Sequence, residues 1–103
     1  MATDIQKVIH EQVTNHQVVL YMKGSPQFPQ CGFSANAIRI LGALGVTEPF
    51  TVDVLQDPEI RQGVKDYANW PTVPQLYIKG EFIGGSDIMT EMYQSGELKG
   101  LLG

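Results

Sequence analysis

Five consecutive apolar residues, Val18-Val19-Leu20-Tyr21-Met22, constrain this chain more than any other segment. A strand without polar alternation has both faces covered, which in a chain of 103 residues calls for helices on each side of one small sheet. The flanking patterns supply those helices. Thr3 and Gln6 form a capping box, and Ile5, Val8, Ile9 and Val13 follow at helical spacing toward Asn15. From Phe33 onward Ala37, Ile38, Leu41 and Leu44 line one helical face, with Gly45 placed to end it. Phe50-Thr51-Val52-Asp53-Val54 alternates as a second strand. Asp57-Pro58-Glu59 then starts a third helix, whose buried stripe is Ile60, Val64, Tyr67 and Ala68.

Beyond Pro71 and Pro74, Gln75-Leu76-Tyr77-Ile78 and Glu81-Phe82-Ile83 read as short strands joined by a Lys79-Gly80 turn. Ser86 or Asp87 is placed to cap a fourth helix carrying Ile88, Met89, Met92 and Tyr93. Ser95-Gly96 breaks that helix before a last turn with Leu98, Leu101 and Leu102. The order αβαβαββαα predicts an α/β fold: a small mixed four-stranded sheet flanked by helices, in a single domain over residues 1–103.

Charge and composition exclude whole classes of function. No apolar run approaches the roughly 20 residues a bilayer demands, so a membrane-spanning role is not expected. Seven Lys and Arg face eleven Asp and Glu without forming a basic cluster, which argues against nucleic acid as a partner. Met1 to Gln6 has neither an apolar signal core nor an Arg-rich presequence pattern, so a reducing cytoplasm is the expectation.

Cys31 is the chain's one cysteine, which excludes an intrachain disulfide. With only His10 and His16 beside it, no zinc set can be assembled within one chain, and a metal held through Cys31 needs ligands from outside. Its position is informative. Cys31 follows a polar, Pro-rich loop beyond the first strand, where open α/β sheets bind ligands, and it faces a helix N-terminus. Unpaired amides and the helix dipole stabilise an anion there, so the thiol pKa is expected to fall. His10 and His16 read as surface residues, and Met22, Met89, Met92, Tyr21 and Tyr77 as core. Phe33 either packs inward or shields the site.

Four segments, Tyr21-Met22-Lys23-Gly24, Cys31-Gly32-Phe33-Ser34, Trp70-Pro71-Thr72-Val73-Pro74 and Gly84-Gly85-Ser86-Asp87, resemble in order and spacing the monothiol (CGFS-type) glutaredoxins of bacterial single-domain and mitochondrial type. The resemblance implies a thioredoxin-like fold, bound glutathione, and a [2Fe-2S] cluster shared by two subunits and handed on in cluster assembly and iron homeostasis. It makes Cys31 the catalytic thiol and the cluster ligand. It places glutathione against Lys23, Cys31, Phe33, Arg61, Thr72, Val73, Pro74, Gly85, Ser86 and Asp87, with Pro74 in the cis form. Trp70 and Pro71 help shape the same site in this reading, whereas Lys65 reads as a solvated cation.

The chain departs from the family at Ser86, where a cysteine often stands, and Ser34 occupies the position of a dithiol relative's resolving cysteine. The implied partners are a second copy when the cluster is bound, BolA-type proteins and apo iron-sulfur proteins, with a monomer otherwise. The alternative is a glutathione-dependent thiol-disulfide oxidoreductase using Cys31, at most a weak enzyme. A bacterial cytoplasm suits these features, as does an organellar matrix after loss of a presequence.

Overall fold

In the computed structural model, which describes residues 4–103, helix α1 (Asp4–Asn15) leads into strand β1 (Val18–Met22) and helix α2 (Gly32–Ala43) follows. Strand β2 (Phe50–Asp53), a 3-10 turn (Val54–Gln56) and helix α3 (Pro58–Ala68) come next. Strands β3 (Gln75–Ile78) and β4 (Glu81–Gly84) and helices α4 (Ser86–Ser95) and α5 (Glu97–Leu102) complete the chain. The sheet order is β2-β1-β3-β4, with β1 and β2 parallel and the pairs β1/β3 and β3/β4 antiparallel.

The apolar run of β1 is explained by two cores, one on each face of the sheet. Val18, Leu20 and Met22 pack with Ala37, Ile40 and Leu41 of α2 and with Met89 and Leu98 of α4 and α5. Val19 and Tyr21 point the other way, to Ile9 and Val13 of α1 and to Ile60 and Val64 of α3. Side chains alternate along a strand, so a segment sandwiched in this way has no solvent-facing position for a polar residue. Each of these fully buried aliphatic side chains contributes about 1.5–3 kcal/mol relative to exposure. The paired ends of β1 and β3, Tyr21 opposite Gln75, bring the loops after Met22 and before Gln75 side by side.

Local signals explain most element ends. Asp57 caps α3 by accepting the Glu59 and Ile60 amides at 3.0 and 3.3 Å, with Pro58 at the first position. Lys79 and Gly80 both have positive φ, 53° and 84°, which gives the hairpin the turn that matches strand twist. Two expectations need adjustment, and the capping box on Thr3 lies outside the described residues. The second strand stops at Asp53, because the Asp53 carboxylate accepts the Leu55 amide and turns Val54 into the 3-10 segment. Neither Ser86 nor Asp87 caps α4: Gly85 is the N-cap without a side-chain bond, and the Ser86 hydroxyl accepts Asn36 Nδ2–H at 2.9 Å.

Gly24, just past β1, has φ +90°, and a Cβ there would meet the Phe28 carbonyl oxygen and lie 2.7 Å from the Gln30 nitrogen. Gly32, the first residue of α2, has open space around it. Gly24→Ala is expected to destabilise the fold by about 1–3 kcal/mol from backbone strain alone. Gly32→Ala is expected to leave the denaturant midpoint unchanged or raise it slightly. Urea unfolding of both variants checks the contrast.

Candidate functional site

The site begins where β1 hands over to α2. Cys31 is the N-cap of α2 with extended backbone, φ −153° and ψ 155°, and its sulfur accepts the Ser34 amide at 3.3 Å. Ser34 is fully buried, and its Oγ accepts the Lys23 N–H at 3.0 Å. That bond leaves the Ser34 O–H free to donate to the sulfur, 3.3 Å away, once the thiol ionises. The intervening loop is pinned at both ends: Gly24 N–H donates to Asp53 Oδ1 at 2.9 Å, and Gln30 N–H to the Lys23 carbonyl at 2.8 Å.

These contacts set the charge on the sulfur. Partial burial alone raises the thiol pKa, but the Ser34 hydroxyl, the Ser34 and Phe33 amides and the Lys23 charge outweigh it and hold Cys31 below the ordinary value. The thiol is partly exposed, as a reacting or ligating group must be. Phe33 is 65 % exposed, which decides between its two alternatives: it stands out from the fold beside the sulfur.

Beside the thiol lies a cleft of about 350 Å³, within the range of small-molecule sites. Its lining contains Lys23, Phe33, Arg61, Thr72, Val73, Pro74, Gly85, Ser86 and Asp87, drawn from the loop after β1, α2, α3, the loop before β3 and the start of α4. Cys31 is not part of the lining itself; the Lys23 that acts on its sulfur and the Phe33 that follows it are. The Val73–Pro74 peptide is cis. Helix α3 ends where Asn69 takes the left-handed conformation, φ 51°, and this releases Trp70 and Pro71 into the cleft wall.

Lys65, expected to be a solvated cation, also lines the cleft and is half-buried. The signal was available: one helical turn separates it from Arg61, so the two share a face. Among the described residues no ion pair ties up Lys23, Arg61 or Lys65. Three uncommitted cations therefore face a cavity whose opposing element, α4, contributes Asp87 and the amides of a helix start. Such a cavity is matched to a small ligand bearing carboxylates and one cationic group.

Asp53 and Asn36 were not anticipated as supports. Asp53 holds the loop at Gly24, and Asn36 ties α2 to α4 by donating to Ser86 Oγ and to Thr90 Oγ1 at 3.0 Å. His10 and His16 lie elsewhere: His10 bonds the Tyr67 hydroxyl at 3.0 Å and His16 stacks on Phe50. No group of three or more His, Cys, Asp or Glu residues among the described residues could hold a metal ion. No helix of the described residues is long and apolar enough to cross a membrane.

Comparison with known proteins agrees with this architecture. The Glutaredoxin family matches residues 18–83. An uncharacterized monothiol glutaredoxin, ycf64-like, from Synechocystis sp. is 58 % identical over 95 residues, 91 % of this chain and 87 % of that protein. The mitochondrial monothiol glutaredoxin-5 of Saccharomyces cerevisiae is 49 % identical over 104 residues, 99 % of this chain and 69 % of its own length. The solution structure of reduced poplar apo GrxS14 matches with a TM-score of 0.79 at 50 % identity, covering 93 % of this chain and 87 % of that one. The fold is the thioredoxin-like fold of these structures, with the four-stranded mixed sheet and flanking helices expected from the sequence.

The contacts at the sulfur predict how it titrates. Alkylation by iodoacetamide follows the thiolate, so its rate in the folded chain is expected to rise through a midpoint below that of the urea-unfolded chain. Ser34→Ala removes a donor to the anion and leaves the Lys23 amide without its acceptor. Its midpoint should move upward, and an unmoved midpoint would contradict the assignment.

Proposed function

The chain belongs to the monothiol glutaredoxins, and from that membership we propose that it binds glutathione in the cleft and carries a [2Fe-2S] cluster between two copies for delivery to acceptor proteins. The observation that carries the proposal is a single, acidified thiol at a helix N-terminus, on the edge of a cationic cleft. A [2Fe-2S] unit takes four thiolates. One chain supplies one, and two chains with two glutathiones supply four.

Each lining residue then has a chemical task. Lys23 and Arg61, with Lys65, receive carboxylates through charge-assisted hydrogen bonds. The backbone of Thr72, Val73 and Pro74 offers an edge to an extended tripeptide, as an added strand would. Gly85, Ser86 and Asp87 meet a charged terminus at the start of α4. Phe33 limits water at the sulfur. Half of the cluster's ligands are then small molecules in exchange with solution, which gives the cargo a route out to an apo iron-sulfur protein or a BolA-type partner. Serines at 34 and 86 leave Cys31 without an internal thiol to close on, so the sulfur stays available for this task. A bacterial cytoplasm or an organellar matrix is the proposed setting.

The lowered thiol pKa also favours a second reading, as a glutathione-dependent oxidoreductase. The Cys31 thiolate attacks the glutathione sulfur of a mixed disulfide, releases the substrate thiolate and becomes glutathionylated. A second glutathione thiolate then attacks that bond, giving glutathione disulfide and the free Cys31 thiolate.

Anaerobic reconstitution with iron, sulfide and glutathione separates the readings. The carrier predicts visible absorbance that requires glutathione, is lost in Cys31→Ser, and passes to an added apo-ferredoxin. A chain that stays colourless under every condition but turns over glutathionylated peptide supports the oxidoreductase instead.

A further inference from the structure

Gln75 opens β3 and is fully buried, 0 % exposed, in a strand whose other residues are Leu76, Tyr77 and Ile78. A buried amide costs stability unless its groups are paired, and here they are paired with the wall of the cleft. Gln75 Nε2 donates to the Trp70 carbonyl at 3.3 Å and to the Thr72 carbonyl at 3.2 Å, while its Oε1 accepts the Tyr77 O–H at 3.1 Å. Two carbonyls on one side and a phenol on the other fix the amide in this orientation.

The phenol is itself immobilised. Alternation puts Gln75 and Tyr77 on the same face of the sheet. The Tyr77 ring packs against Tyr21, Tyr67 and Phe82, with centroids 5.7, 6.0 and 5.4 Å away. Gln75 is thus held from behind by an aromatic cluster and holds residues 70–72 in front of it.

The consequence for the cleft follows from peptide geometry. The Thr72–Val73 peptide is trans, so its C=O and N–H point in opposite directions. Drawing the Thr72 carbonyl inward turns the Val73 N–H outward, and Val73 lines the cleft. That N–H has no hydrogen-bond partner among the described residues. The same loop rests on the start of α4: a Cβ on Gly85 would lie 3.3 Å from the Pro74 carbonyl oxygen and 3.6 Å from the Trp70 indole nitrogen.

We infer that Gln75 is a positioning residue for the ligand of this cleft: its amide pulls the Trp70 and Thr72 carbonyls inward and thereby aims the Val73 N–H at the backbone of a bound tripeptide. The inference rests on the reading of the cleft as a glutathione site. Gln75 is too deep to touch the ligand and acts through the loop.

The test uses S-methylglutathione, which has no free thiol, with binding followed by calorimetry and by the emission of Trp70, the chain's one tryptophan. Gln75→Glu keeps size and the acceptor for Tyr77. When ionised it presents oxygen to two carbonyls, and when protonated its O–H donates to one of them. Affinity in Gln75→Glu is expected to fall about tenfold at pH 8, roughly one backbone hydrogen bond, and to recover as pH is lowered to 6. The native chain carries the same His10 on Tyr67 and the same phenols of Tyr21, Tyr67 and Tyr77, and it supplies the baseline pH profile.

Tyr77→Phe, which deletes only the hydroxyl behind Gln75, is expected to weaken binding severalfold without changing the Cys31 alkylation midpoint. It decides the question if Gln75→Glu does not fold. Native-like affinity and pH profile in folded Gln75→Glu, or in Tyr77→Phe where that variant decides, overturn the positioning role and leave the glutathione reading standing. Failure of the native chain to bind S-methylglutathione overturns the glutathione reading and this inference with it.

Discussion

The Ser34 hydroxyl is the point on which the site turns, because it accepts the Lys23 amide just past β1 and, once the thiol ionises, donates to the sulfur at the start of α2. The strand is fixed by two cores and the helix by its packing on one of them, so the sulfur inherits the rigidity of both. Its anion is stabilised by groups already in place, and only the Ser34 hydroxyl hydrogen has to turn when the thiol ionises. A second thiol at this position would offer the sulfur a covalent partner; a serine offers only hydrogen bonds. The same residue that acidifies Cys31 thereby keeps it single.

Charge is distributed to match. The chain carries a net charge of −4, yet the cleft beside the thiol collects Lys23, Arg61 and Lys65. An acidic surface around a basic cleft directs small anions to one place. Two aromatic side chains that flank Cys31 in the sequence, Phe28 and Phe33, are 74 % and 65 % exposed.

What could be read from the sequence was what depends on near neighbours in the chain. The run at Val18–Met22, the Asp57-Pro58 helix start and the Lys79-Gly80 turn each encode their structure within a few residues, and each forms as expected. The Cys31 N-cap belongs to the same class, since its amide partner, Ser34, is three residues away. Contacts between distant segments were not legible. Ser86 looked like a helix cap until Asn36, fifty residues earlier, claimed its hydroxyl. The strand-ending role of Asp53 and its hold on Gly24 depend on β2 lying beside β1. Gln75 read as an ordinary strand residue because its partners, the carbonyls of Trp70 and Thr72, reach it only after the chain turns back at Val73–Pro74.

In the proposed function, one acidified thiol per chain is half of the protein's share of a cluster site, and glutathione supplies the remainder. Native mass spectrometry of the chain reconstituted anaerobically with glutathione, iron and sulfide counts these components directly. The proposed carrier gives a species of two chains, two glutathiones and one [2Fe-2S] cluster. A cluster retained by a single chain, or by a pair of chains without glutathione, contradicts it.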